Sequence, residues 1–193
     1  MYRSIKILGF ALLSLLHFEA NALVLSPSDC NATYTCATGD ATANPDAATI
    51  AGLMGTTTVL DLLYKANQGG SDEGIFTGSY NTIFSNSSTD PENADISWIV
   101  GTDFIDSCGS FDSECYLSVK DGNHNPSLYV YDITGFWNGQ DVIDLNAFWP
   151  NQGAISNVAI WGVDNGTSVP EPGTLALFGL GLLGLALGRK KIS

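Results

Sequence analysis

The sequence predicts an all-β fold, an antiparallel β-sandwich of jelly-roll type, set between two apolar terminal segments. Three observations predict it. Short apolar runs recur at 57–64, 74–84, 96–101, 116–120, 128–133, 141–145 and 157–163. Clusters of turn formers separate them: Gly69-Gly70, Asn86-Ser87-Ser88, Asp121-Gly122-Asn123, Asn138-Gly139 and Asn151-Gln152-Gly153. Glycine admits positive φ, and Asn and Asp bond their own backbone, so each cluster lets the chain reverse. Outside the two ends no run keeps a firm 3.6-residue period; Ala47–Met54 reads as one short helix.

The chain has 193 residues and a formal charge of −13. It opens with Arg3 and Lys6, then an apolar run over 7–18, then the small-x-small triplet Ala20-Asn21-Ala22. This is the layout of a signal peptide over 1–22, so signal peptidase is an expected partner. Twelve residues of helix rise about 18 Å, too little for a bilayer core of about 30 Å.

The next signal is the cysteines. Cys30, Cys36, Cys108 and Cys115 all fall in the exported part, where an even number points to disulfides. Their spacing favours two local bridges, Cys30 with Cys36 and Cys108 with Cys115, with three pairings open. A zinc site lacks a CxxC pair and faces a long gap from Cys36 to Cys108.

Within the runs, 128–133 places Leu128, Val130 and Asp132 on one face and Tyr129, Tyr131 and Ile133 on the other. Apolar character on both faces fits a strand inside a sandwich. Trp137-Asn138-Gly139-Gln140 reads as a tight hairpin corner. Trp98 and Trp161, inside apolar strands, are assigned to the core. Trp137 and Trp149, beside turns, are the tryptophans expected at the surface, where flat rings can stack on a sugar.

Little in the middle supports catalysis. His124 is its one histidine and reads as an exposed turn residue, with no G-x-S-x-G elbow and no HExxH beside it. No catalytic residue, metal ligand set or cofactor is assigned. A structural calcium site around Asp103, Asp106, Asp112 and Glu114 stays open as an alternative. An EF-hand through Asp121, Asn123, Asn125 and Asp132 is rejected, because Pro126 stands where the loop needs Gly.

The C-terminal end is a second device. Residues 173–188 are uncharged and rich in Leu and Gly, and Arg189, Lys190 and Lys191 follow at once. As a transmembrane helix this stretch is about 24 Å long and keeps its basic cluster cytoplasmic, which leaves the rest of the chain outside. Pro170-Glu171-Pro172 stands just before it and holds the backbone extended.

Together, Pro170-Glu171-Pro172, the Leu/Gly-rich helix and the basic end resemble the PEP-CTERM protein-sorting signal. That resemblance implies recognition of Pro170, Glu171 and Pro172 by an exosortase, a multi-pass membrane enzyme of Gram-negative bacteria that make extracellular polysaccharide. It divides the chain into a signal peptide 1–22, an ectodomain 23–168 and a sorting signal 169–193. The segments 119–122, 131–139, 148–158 and 160–162 also look like the ectodomain of a recurring group of PEP-CTERM proteins, which implies a β-rich secreted domain and no known activity.

Charge sharpens this division. Residues 1–22 carry net +1 and 170–193 net +2, which leaves −16 for 23–169, where Lys65 and Lys120 are the only basic side chains. Such a domain repels nucleic acid and anionic membranes. The expectation is an exported protein, held in the inner membrane and then moved to the cell surface or its matrix, with a structural or interaction role. A carbohydrate-binding module acting on extracellular polysaccharide is the alternative.

Overall fold

The computed structural model describes residues 21–40, 43–122, 124–150 and 153–164. The signal segment up to Ala20, Pro170-Glu171-Pro172, the stretch 173–188 and Arg189, Lys190 and Lys191 lie outside the described residues. Among the described residues no helix is long and apolar enough to cross a membrane.

Among the described residues the regular structure is nine strands, one α-helix and two short 3-10 helices. In chain order the strands and the α-helix are β1 (Leu23–Leu25), β2 (Cys36–Gly39), α1 (Ala47–Met54), β3 (Asp61–Asn67), β4 (Tyr80–Ser85) and β5 (Asn93–Trp98). Then follow β6 (Cys115–Asp121), β7 (Leu128–Asp132), β8 (Ile143–Leu145) and β9 (Ile155–Gly162). They form a four-stranded sheet, β1-β8-β5-β4, and a five-stranded sheet, β2-β7-β6-β9-β3. The all-β expectation therefore holds at the level of two sheets.

One apolar cluster joins the sheets. Leu25, Ile96, Ile143 and Leu145 from the four-stranded sheet meet Leu63, Leu117, Val119, Val158 and Ile160 from the five-stranded one. Period-two alternation explains how. On β6, Leu117 and Val119 face this core, while Tyr116 faces the opposite side. There α1 covers the outer face of the five-stranded sheet, where Ile50 packs with Leu60, Tyr116, Val130 and Trp161. This second cluster is why β6 and β9 are buried almost throughout. Among the described residues no helix covers the outer face of the four-stranded sheet, and Val24, Asp144, Asp95 and Ile83 form one row across it.

Several details differ from the sequence reading. β1 pairs with β8 in parallel, so the sheets are not wholly antiparallel. A parallel partner needs a long connection, and here nearly the whole domain intervenes. The Trp137–Gln140 corner is not a hairpin, because β7 and β8 belong to different sheets and 133–142 carries the chain across between them. In the run 74–84 only Tyr80–Ser85 is strand; earlier residues lie against β3, with Ile75 N–H donating to Leu62 O and Phe76 N–H to Leu63 O. The cysteine pairing is resolved as Cys30–Cys36 and Cys108–Cys115, with Cα separations of 5.0 and 5.1 Å.

Register gives the domain two distinct ends. β1, β4 and β8 begin where β5 finishes, β2, β3 and β6 begin where β7 and β9 finish, and Ile155 N–H on Pro91 O at 2.7 Å holds the starts of β9 and β5 together, so the two sheets share these ends. Leu23 N–H donates to Val142 O there, and Asp164 N–H reaches Asp61 at 3.4 Å. The described chain thus enters and leaves at the same end, here called the exit end. The opposite, far end gathers Ser26, Asp121, Ser127, loop 146–150 and Ile155.

Candidate functional site

Loop 146–150 shapes a groove at the far end. Beyond β8, Ala147 and Trp149 take left-handed backbone, φ 54° and 53°. Positive φ is unfavourable for a residue as bulky as Trp and persists where surrounding contacts fix it. Three contacts do so. Ala147 N–H donates to Asn93 Oδ1 at 2.9 Å, Phe148 N–H to Glu92 O at 2.9 Å, and the Trp149 indole N–H to Pro126 O at 2.8 Å. Phe148 between them is wholly buried and meets Tyr129 edge-on, with centroids 5.6 Å apart.

The result is an aromatic floor. Tyr129 lies 5.5 Å from Trp149 and stacks on Tyr131 at 6.3 Å and 16°. Burial raises the Tyr129 hydroxyl pKa, so it stays a neutral donor at physiological pH. The groove over these rings measures about 380 Å³, with Pro27, Ser28, Pro126 and Pro150 among its walls. A neighbouring recess of about 270 Å³ is lined by Asp90, Asp121, His124 and Ser156. His124 lines both.

His124 is not a freely solvated turn residue. Its Nδ1 lies 3.1 Å from Asp121 Oδ2, and that oxygen also accepts from Ala154 N–H at 3.1 Å. Asp121 itself is buried. The nearby Ser156 hydroxyl donates to Lys120 O at 2.9 Å, so it is not directed at the imidazole.

The tryptophan reading needs correction. Trp137 is 1 % exposed and its indole N–H donates to Asp141 O at 2.7 Å. It fills the core below the 133–142 crossing and presents no face for stacking. Trp149 is 8 % exposed, so only part of its ring reaches the groove. Turn proximity failed as a guide because the turns fold back over these rings. Trp161 is buried as expected, with its N–H on Ser118 Oγ at 2.9 Å, and Trp98 is half-buried beside Phe104.

The acidic residues also separate. Among the described residues no group of three or more of His, Cys, Asp and Glu stands together as a metal-ligand set, Asp103, Asp106, Asp112 and Glu114 included. Glu114 accepts from the Thr56 hydroxyl, which holds its pKa below the usual carboxylate value.

Sequence reasoning missed a second aromatic feature, at the exit end. Phe111 is 77 % exposed and Phe136 56 % exposed. Their rings meet edge-on at 6.3 Å, and Phe136 meets Tyr34 edge-on at 5.2 Å. Tyr34 and Phe111 each sit within a disulfide-closed loop. Both loops were visible as Cys pairs, and the aromatic residue inside each was the available signal.

Against known proteins, the family model for the PEP-CTERM protein-sorting motif matches residues 168–191. The chain therefore carries a PEP-CTERM sorting motif, which implies processing by an exosortase and sorting to the cell exterior. No curated protein matches the chain, and no solved structure does.

Proposed function

We propose that this chain, as the bearer of a PEP-CTERM sorting motif, is a surface or matrix protein with a non-catalytic structural or interaction role. The motif match at 168–191 carries the reading. In it, 1–22 is removed by signal peptidase, 173–188 holds the chain in the inner membrane, and exosortase acts at Pro170-Glu171-Pro172. The domain 23–168 is then delivered to the cell surface or its polysaccharide. A net −16 with two disulfides supports life in an oxidising exterior. The jelly-roll-like reading of the sandwich is supported by the core between the sheets and by a chain that passes between them five times, 99–114 and 133–142 among the connections. No cofactor enters this reading.

The test is the double substitution Pro170→Ala, Glu171→Ala in the natural host. Full-length protein is expected to accumulate in the membrane fraction. Unchanged release of a shortened product refutes the sorting role of those residues.

The groove of Tyr129 and Trp149 favours a second reading, a carbohydrate-binding module on extracellular polysaccharide. A glycan array with the released protein tests it. Binding that Ser28→Trp abolishes, by filling the groove without touching Trp149, supports this reading. Silence across the array supports the structural one.

A further inference from the structure

We propose that the exit end of the domain rests on the phospholipid surface while the chain is tethered, with Phe111 and Phe136 at the lipid interface. This rests on the anchored reading above and adds which face meets the bilayer.

Two independent observations point there. The first is topological. β1 begins and β9 finishes at the same end, and the described chain stops at Asp164 beside the first residue of β3. Eight residues separate Asp164 from 173, where the apolar stretch begins. Fully extended they reach at most about 28 Å. The exit end is therefore the part of the domain held nearest the bilayer, and the Tyr129–Trp149 groove faces away from it.

The second is chemical. Phe111 and Phe136 stand exposed at this end, and Val100 and Ile99, also exposed, follow β5 there. A phenylalanine ring gains by leaving water for the headgroup–acyl boundary, as on the apolar face of an interfacial helix. Both phenylalanines are held in place. Phe111 lies within the Cys108–Cys115 loop with its ring over Gly135, whose N–H donates to Cys108 O at 2.8 Å. Preorganised rings lose little freedom on docking.

Charge limits the affinity and selects the surface. Asp103, Asp112 and Asp141 lie in the two crossings at this end and oppose anionic headgroups. A zwitterionic surface is the fitting one, and the tether supplies the effective concentration that makes a weak contact sufficient. Release of the tether then frees the domain, because two rings alone do not hold it against its own charge.

The experiment uses the full chain in phosphatidylethanolamine–phosphatidylcholine vesicles with an alkyne-tagged phospholipid tracer. Photoreactive benzoylphenylalanine replaces Phe111 or Phe136 in separate variants, or Ile83 on the uncovered sheet face as reference. Intact mass confirms both disulfides in each variant, and having two test positions guards against one that fails to fold. Lipid adduct several-fold above the Ile83 reference is expected at Phe111 and Phe136. Even labelling at all three positions, in a chain that floats with the vesicles, overturns this proposal alone. Adducts at Phe111 onto a second copy, with no lipid product, also overturn it. A chain that does not float overturns the anchored reading and this proposal with it.

Discussion

Asp95 and Asp144 stand directly opposite each other on β5 and β8, two carboxylates on an uncovered sheet face. Partial burial raises the Asp95 pKa, and the charge of Asp144 and a hydrogen bond with it raise it further. The sign follows from linkage. The folded protein holds a proton at Asp95 more tightly than the unfolded chain, so its stabilising contribution is full below the unfolded value. That contribution is lost as pH rises through the folded one. At neutral pH the pair is a net cost. Asp95→Asn should therefore stabilise the fold at pH 7 by about a few tenths of a kcal/mol after solvent screening, seen as a small rise in Tm, and the advantage should shrink as the pH falls through the raised Asp95 value toward the ordinary carboxylate range. Thermal melts of both proteins across pH check this, and an advantage that grows in acid contradicts it. Gly139 gives a steric counterpart. Its φ is +83°, and an added Cβ would overlap the Ile105 carbonyl oxygen. Gly55 has a similar φ of +72° with open space around it. Gly139→Ala should cost about 2–4 kcal/mol and Gly55→Ala about 1 kcal/mol, compared by urea unfolding. Equal costs would mean that the 133–142 crossing yields without resistance.

At the level of elements, the disulfide loops are short, spanning six and seven residues of separation. Replacing either Cys pair by Ser should cost about 2–3 kcal/mol on the loop-entropy model. The two should differ in where the loss appears. Without Cys108–Cys115, hydrogen exchange should rise at the exit end around Phe111 and Gly135; without Cys30–Cys36, it should rise along β2. Uniform loss across both sheets in each case would show that neither bridge acts locally. Legibility in the sequence followed element length. The middle strands β6, β7 and β9 carry five to eight residues each and showed their apolar pattern. Helix α1 had both ends written in the chain: Asp46 accepts from Thr49 N–H at 2.8 Å, and Gly55 closes it in left-handed conformation. β1 and β2, three and four residues long, are too short for any period to register. Their existence depends on partners about 90 residues away or more, β7 for β2 and β8 for β1. The Asn138-Gly139 pair announced a turn correctly but could not say whether the flanking strands share a sheet, because that is decided by packing across the core.

For the whole molecule, the address was more legible than the site. A sorting motif is a short contiguous stretch of sequence, so its information is linear, and Pro170-Glu171-Pro172 with its apolar and basic flanks could be read directly. Exposure of a ring is a property of the assembled fold, which is why Trp137 and Trp149 were expected outside while Phe111 and Phe136 in fact are. Net charge, by contrast, needs no fold to be counted, and it yields a last prediction. Residues 23–169 hold −16 with two lysines. Lys65 pairs with Glu73 at 3.1 Å, while Lys120 is buried and donates to Asp121 O at 2.9 Å. Favourable ion pairs are thus few among the described residues, and the long-range field is repulsion between carboxylates. Raising ionic strength from about 0.01 M to about 0.15 M shortens the screening length from about 30 Å to about 8 Å, less than the width of the domain. The repulsion then weakens more than the single close Lys65–Glu73 contact does. The Tm at pH 7 should rise by a few degrees over that range, with most of the gain below 0.15 M, where screening changes fastest. A Tm that falls over the same range would mean that specific charge pairs, not crowded like charges, govern the electrostatics of this domain.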